Sequence, residues 1–343
     1  MSGQTQKAAV IGTTSWGTTL ALLLAREGAD TLLWSRTEET ARRMNEAGEN
    51  VDRLPGFPFP DNLHVTPYMS QAVSDADLII VCVPSPTFHQ NLQRLREGNP
   101  SRDVPIVSAT KGLDRVDGLR MSEVFAQEMG QDALRQYCVI SGPNLSHEVA
   151  DGLPSSAVVA SATEEMAERA QAALTSKVFR VYASTDVPGV ELGGSLKNIV
   201  AIGAGMIDGM GFGDNAKAAF IARAIAEITR LGIAAGAQPL TFSGLAGVGD
   251  LVATCYSRLS RNRYVGEELG RGRNIAQIIE DLNEVCEGYN TTPAAIRLAE
   301  RLNVETPITL ETHRVLHEGL NPREAIESLM GRPATTEFPG ETL

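Results

Sequence analysis

Cysteine is scarce and scattered. Cys82, Cys138, Cys255 and Cys286 form no C-x-x-C pair, which argues against a disulfide framework and against a zinc site. That usage fits a reducing cytosol. Long apolar runs are also lacking: a stretch such as 78–83 is only strand-sized, and residues 1–7 are polar, so neither export nor membrane insertion is expected. Basic residues are outnumbered, 30 Lys and Arg against 42 Asp and Glu, for a net charge of -12. A chain of that sign repels phosphodiester backbones and anionic lipid, which points away from nucleic acid and membranes and toward small molecules. Of the five histidines only His313 and His317 share helical spacing, with no third ligand nearby, so no metal is expected.

What is present reads as a globular chain of 343 residues, 43% hydrophobic and 21% charged, long enough for two cores. Short apolar runs at 8–11, 31–34, 78–83, 105–109 and 137–141 read as buried strands, with helical patterns such as 16–27 and 86–96 between them. Strand and helix in alternation imply crossovers, a parallel sheet and a doubly wound α/β domain of the Rossmann type. Runs at 156–161 and 179–183, around a helix at 164–175, extend the same sheet, and the domain closes near Asp186. Beyond it, helical periodicity at 190–206, 216–235, 292–302 and 322–330 predicts an all-helical second domain. The expected division is 1–186 and 187–332, with 333–343 a frayed tail. Glycine clusters at 203–213 and 244–249 are expected to interrupt the helices as turns near a ligand.

The first strand runs into Gly12-Thr13-Thr14-Ser15-Trp16-Gly17 and then a helix, the placement of a pyrophosphate-binding turn. There the first glycine makes the turn, the second lets the diphosphate approach, the third lets helix pack on strand, and the helix N-terminus offers free N–H groups. Thr14 stands in place of the second glycine. Its side chain would either push a diphosphate outward or supply a hydroxyl. After the second strand, where an acidic residue would bind the ribose of NAD, the chain reads Trp34-Ser35-Arg36, and Arg36 can pair with a 2′-phosphate. Glu38 or Glu39 can still reach a ribose, so dual use or NADP preference is expected.

Reduction of a ketone needs a proton donor, and here the candidates are lysines. Lys197, in Leu192-Gly193-Gly194-Ser195-Leu196-Lys197-Asn198, sits among apolar and small residues at the start of the second domain. Burial there depresses a lysine pKa toward neutrality, where it can act as acid or base. Lys111 follows a strand directly, at the edge of the sheet where α/β proteins bind ligands. Ser260-Arg261-Asn262-Arg263 precedes a helix and combines a cap, a guanidinium and an amide, a setting suited to a phosphate. Asp250, in Gly247-Val248-Gly249-Asp250, can orient Lys197 or bind a substrate hydroxyl, with an Asx turn as the plain alternative.

Taken together these motifs resemble the NAD(P)-dependent glycerol-3-phosphate dehydrogenase family, in its bacterial soluble form. The resemblance covers nearly the whole chain and includes Ser15-Trp16-Gly17-Thr18, Ala109-Thr110-Lys111-Gly112-Leu113, Ile140-Ser141-Gly142-Pro143, Gly203-Ala204-Gly205 and Val285-Cys286-Glu287-Gly288-Tyr289. It implies Lys197 as proton donor and acceptor, with substrate on Lys111, Gly142, Asn144, Asp250, Ser260, Arg261 and Asn262. It implies NAD or NADP contacts on Ser15, Trp16, Arg36, Lys111, Ser146, Arg261, Val285 and Glu287, beside Gly12 and Gly17 of the turn. A cytoplasmic homodimer that feeds phospholipid synthesis is implied as well. Two departures from the family pattern, Thr14 and Asn144-Leu145-Ser146, fall on expected ligand contacts. The alternatives are a β-hydroxyacid or phosphogluconate-type dehydrogenase, against which the setting of Arg261 argues, and a non-catalytic dinucleotide-binding redox sensor, against which Lys111 and Lys197 argue.

Overall fold

The computed structural model describes residues 6–282, 285–333 and 336–337. Eight strands, β1 (Lys7–Ile11), β2 (Asp30–Trp34), β3 (Leu63–Thr66), β4 (Leu78–Val81), β5 (Ile106–Ser108), β6 (Tyr137–Ser141), β7 (Ser155–Ser161) and β8 (Phe179–Ser184), form one sheet in the order β3-β2-β1-β4-β5-β6-β7-β8. Among the described residues seven α-helices accompany it: α1 (Ser15–Arg26), α2 (Glu38–Ala47), α3 (Met69–Val73), α4 (Phe88–Glu97), α5 (Met121–Met129), α6 (Ser146–Ala150) and α7 (Glu164–Leu174). Apolar cores on both faces explain why β4 and β6 are buried at every residue and read as continuous apolar runs. Strand order reverses between β1 and β4, so the carboxyl ends of those strands open the crevice in which such sheets bind ligands.

The sheet departs from the expected one in two places. β3 is a strand that the sequence pattern does not announce, because only four residues pair with β2 and His64 among them is exposed. The sheet is also not wholly parallel: β6 and β7 run antiparallel. The segment between them, 142–154, holds only the five-residue α6, too short to cross the sheet and return.

Beyond β8 the elements among the described residues are helical: α8 (Val187–Met210), α9 (Gly213–Ala234), α10 (Pro239–Ser243), α11 (Asp250–Tyr256), α12 (Arg261–Gly270), α13 (Ile275–Glu280), α14 (Glu287–Leu302), α15 (Pro307–His317) and α16 (Pro322–Met330). The 24-residue α8 is the axis of this half. Among the described residues it is the one helix long and apolar enough to cross a membrane, yet its apolar window is wholly buried in protein, which identifies a core helix. Asp186 starts it by accepting a bond from the Gly189 amide at 3.0 Å. Glu191, one turn on, accepts from Arg120 Nη1 (2.9 Å), Ser122 Oγ (2.8 Å) and Tyr137 Oη (2.7 Å), which fastens α8 to the sheet.

The glycines at 203–213 do not interrupt α8 as expected; Gly203, Gly205 and Gly209 lie inside it. α12 crosses α8 so closely that a Cβ on Gly205 would stand 2.0 Å from the Arg263 carbonyl oxygen. On Gly209 it would stand 2.1 Å from that of Glu267, and on Gly266 of α12 1.9 Å from that of Ile202. Only Gly211 and Gly213, with φ of 70° and 82°, act as turn glycines. Residues 245–249 of the second cluster form a π-helical turn that leads into α11. Of the tail expected to fray, 334, 335 and 338–343 lie outside the described residues.

Candidate active site

Gly12 has φ 115°, and a Cβ there would come 2.4 Å from the Cys82 carbonyl oxygen at the end of β4. A Cβ on Gly17 would meet the Gly12 carbonyl oxygen at 2.2 Å. Both positions therefore require glycine, for the turn and for seating α1 against β1. Ser15 Oγ donates to the Arg53 carbonyl at 2.8 Å, and half-buried Trp16 packs its ring edge-on to Phe179 at 6.0 Å. Arg36 stands exposed just beyond β2 and has no ion-pair partner among the described residues. The acidic alternatives are engaged elsewhere: Glu38 accepts from Tyr68 Oη at 3.1 Å, and Glu39 pairs with Arg42 at 2.9 Å. A tight turn at a helix N-terminus with a basic residue past β2 fits a phosphorylated dinucleotide.

Across the carboxyl ends of the strands three ionised groups meet. Lys111, past β5, donates from Nζ to Asp250 Oδ2 at 2.6 Å and to the Gly142 carbonyl at 3.1 Å. Lys197 Nζ contacts Asp250 Oδ1 and donates to Thr254 Oγ1 at 2.8 Å. Ser141 Oγ adds a bond to Asp250 Oδ2 at 3.3 Å. Two ammonium groups thus share one carboxylate that is 1% exposed, while Lys197 itself is 7% exposed. Burial lowers the Lys197 pKa to about 8, opposed by Asp250 and reinforced by Lys111. Burial alone would raise Asp250, but the two lysines outweigh it and hold the carboxyl below its ordinary range. Burial thus brings the Lys197 amine to about 8, while Lys111 and Lys197 keep Asp250 an anion.

The N-terminus of α12 faces the same turn of α8. Ser260 Oγ caps the helix by accepting from the Arg263 amide at 3.2 Å. Asn262 Nδ2 donates to Oδ1 of Asn198, the neighbour of Lys197, at 3.0 Å, while its Oδ1 accepts from the Gly288 amide at 2.9 Å. Arg261 is exposed at the start of α12; neighbouring protein still desolvates it enough to lower its pKa, opposed by Cys286 and Glu287. Glu287 accepts from Ser85 Oγ at 2.8 Å, so the start of α14 is tied to the loop after β4, close to Gly112.

A model of the NAD-dependent glycerol-3-phosphate dehydrogenase N-terminus matches residues 7–167, and one of the C-terminus matches 186–327. The chain belongs to the NAD-dependent glycerol-3-phosphate dehydrogenase family. It is 44% identical over 335 residues to a glycerol-3-phosphate dehydrogenase (NAD(P)+) of Dehalococcoides mccartyi, covering 97% of this chain and 93% of that one. It is 45% identical over 338 residues to one from Pelotomaculum thermopropionicum, covering 98% and 96%. The crystal structure of glycerol-3-phosphate dehydrogenase from Coxiella burnetii superposes with a TM-score of 0.90 at 38% identity, covering 95% of this chain and 99% of that one.

On this dehydrogenase frame, Lys111, Gly142, Lys197 and Asp250 are joined by direct bonds, and Ser260, Asn262 and Arg261 stand on the adjoining helix end. Asn144 is not bonded to that cluster: its Nδ2 donates to Ser155 Oγ and the Ser156 carbonyl, both at 3.2 Å, holding the loop against β7. Ser146 opens α6, and its carbonyl accepts from Thr19 of α1 at 3.2 Å. Val285 is 40% exposed beside Cys286. Residue reading missed Thr254, although Asp250 and Thr254 have helical i,i+4 spacing, and it missed Ser141, Asn198, Glu191 and Ser85. The last three carry no local signal, because their partners lie 64, 54 to 71 and 202 residues away.

Proposed function

We propose that this chain interconverts sn-glycerol 3-phosphate and dihydroxyacetone phosphate with NADP or NAD. The observation that carries the proposal is the buried Lys197–Asp250–Lys111 triad, at the carboxyl edge of the sheet and beside the capped N-terminus of α12. A nicotinamide dinucleotide held at Gly12, Ser15, Trp16, Gly17 and Arg36, and completed by Lys111, Ser146, Arg261, Val285 and Glu287, supplies the hydride or accepts it. Lys197 gives its proton to the carbonyl oxygen of the triose as an alkoxide develops there, and in the other direction its neutral amine takes the proton of the C2 hydroxyl. Lys111 and the Gly142–Asn144 loop hold the polar end of the substrate, while Asp250 orients both lysines. Its phosphate rests on Arg261 with Ser260 and Asn262, where a guanidinium and a helix N-terminus both favour a dianion. Arg36 supports NADP, with NAD also accepted.

Within the same proposal the domains divide at 1–186 and 187–332, and the protein acts as a cytoplasmic homodimer that supplies glycerol 3-phosphate for phospholipids. The test is steady-state oxidation of NADPH and NADH by purified protein. Turnover should depend on dihydroxyacetone phosphate; turnover with the oxo forms of hydroxyacids alone defeats the proposal.

A further inference from the structure

The hydroxyl of Thr14 is fully committed inside the protein. It donates to the Cys82 carbonyl at 3.1 Å and accepts from the Gly17 amide at 3.0 Å, with Cys82 Sγ at 3.3 Å. Burial pushes the Cys82 thiol up to about 12, against the lowering effects of Thr14 and Lys111, so the thiol keeps its proton and can donate. One hydroxyl proton and two lone pairs are then all used, which is the whole capacity of a threonine side chain. Such a hydroxyl has no donor left for a phosphate oxygen. The cap also consumes the amide of Gly17, the buried third residue of α1, one of the N–H groups that the helix leaves without a partner of its own.

We infer that Thr14 is an affinity-determining residue, which loosens the grip on a dinucleotide diphosphate by capping α1 with its own hydroxyl. The inference rests on the function proposed above and deepens it. Because NAD and NADP share the diphosphate, the loosening is common to both and leaves the choice between them to the region of Arg36. Thr14→Gly and Thr14→Ala both free the Gly17 amide, Thr14→Gly without a Cβ and Thr14→Ala with an ordinarily stiff backbone. Thr14→Ser keeps the cap.

The experiment is a titration of the purified full chain, without substrate, followed by NADH and NADPH emission, with circular dichroism to verify folding. Thr14→Gly and Thr14→Ala should lower Kd roughly three- to tenfold for both dinucleotides, the scale of one added hydrogen bond, while Thr14→Ser stays near the parent value. Folded Gly and Ala variants with unchanged or higher Kd overturn the inference. So does tightening confined to one dinucleotide, or an equal gain in Thr14→Ser. A parent protein that binds neither dinucleotide overturns the function as well, a result distinct from one that binds but is not tightened.

Discussion

A lysine with a pKa of about 8 is poised between its two forms, and the direction of catalysis decides which form counts. Ketone reduction needs the ammonium, so its kcat should fall as pH rises through about 8; alcohol oxidation needs the free amine, so its kcat should rise over the same interval. Opposed limbs in the two directions are the signature to look for. Identical profiles would take Lys197 out of the proton transfer. Lys197→Ala should lower kcat by about 10²–10⁴-fold with dinucleotide Kd nearly unchanged. Lys197→Arg keeps the charge but cannot shed a proton, so it should be poorest in the oxidation direction, and wild-type turnover in that variant would contradict the assignment. The burial of Lys197 was legible in sequence, because its neighbours are small and apolar. Thr14 was only half legible, since its letter shows a departure from glycine, while the direction of its hydroxyl depends on the Cys82 carbonyl 68 residues away.

At the scale of elements, most strands and helices could be read from short apolar runs and helical periodicity, because each pattern is set by its own residues. β3 and the antiparallel β6–β7 pair could not, since pairing partner and direction are properties of two segments at once. The glycines of α8 show the same limit: in sequence they look like helix breakers, and only the crossing with α12 reveals why a Cβ is excluded. Gly266→Ala puts a methyl 1.9 Å from the Ile202 carbonyl oxygen, a backbone atom that cannot move aside cheaply. The helices must separate, at about 1–3 kcal/mol for overpacking of this kind. Separation shifts the end of α12 that bears Ser260, Arg261 and Asn262. Gly266→Ala should therefore lower Tm and raise KM for the phosphorylated substrate more than Kd for dinucleotide. An unaltered Tm would show that the crossing is looser than its contacts indicate.

The molecule as a whole carries -12, yet Lys111 and Lys197 share the carboxylate of Asp250, and Arg261 stands at the N-terminus of α12, which Asn262 ties to Asn198 next to Lys197. A positive pocket in a negative body draws in a small dianion by a local field while the rest of the surface repels bulk polyanions, and low-dielectric walls focus that field. Such attraction is long-ranged, so salt screens it: the Debye length is about 30 Å at 0.01 M and about 8 Å at 0.15 M. kcat/KM for dihydroxyacetone phosphate should then fall as ionic strength rises, whereas that for uncharged dihydroxyacetone, however slow, should stay nearly flat. Arg261→Ala removes the cation expected to hold the phosphate and should raise KM for the phosphorylated substrate, with kcat changed less. It should also flatten the salt dependence that remains. If the salt slope survives in Arg261→Ala while KM is unaltered, the phosphate is held elsewhere in the cleft, and the cationic lining of Lys111 and Lys197 becomes the place to look.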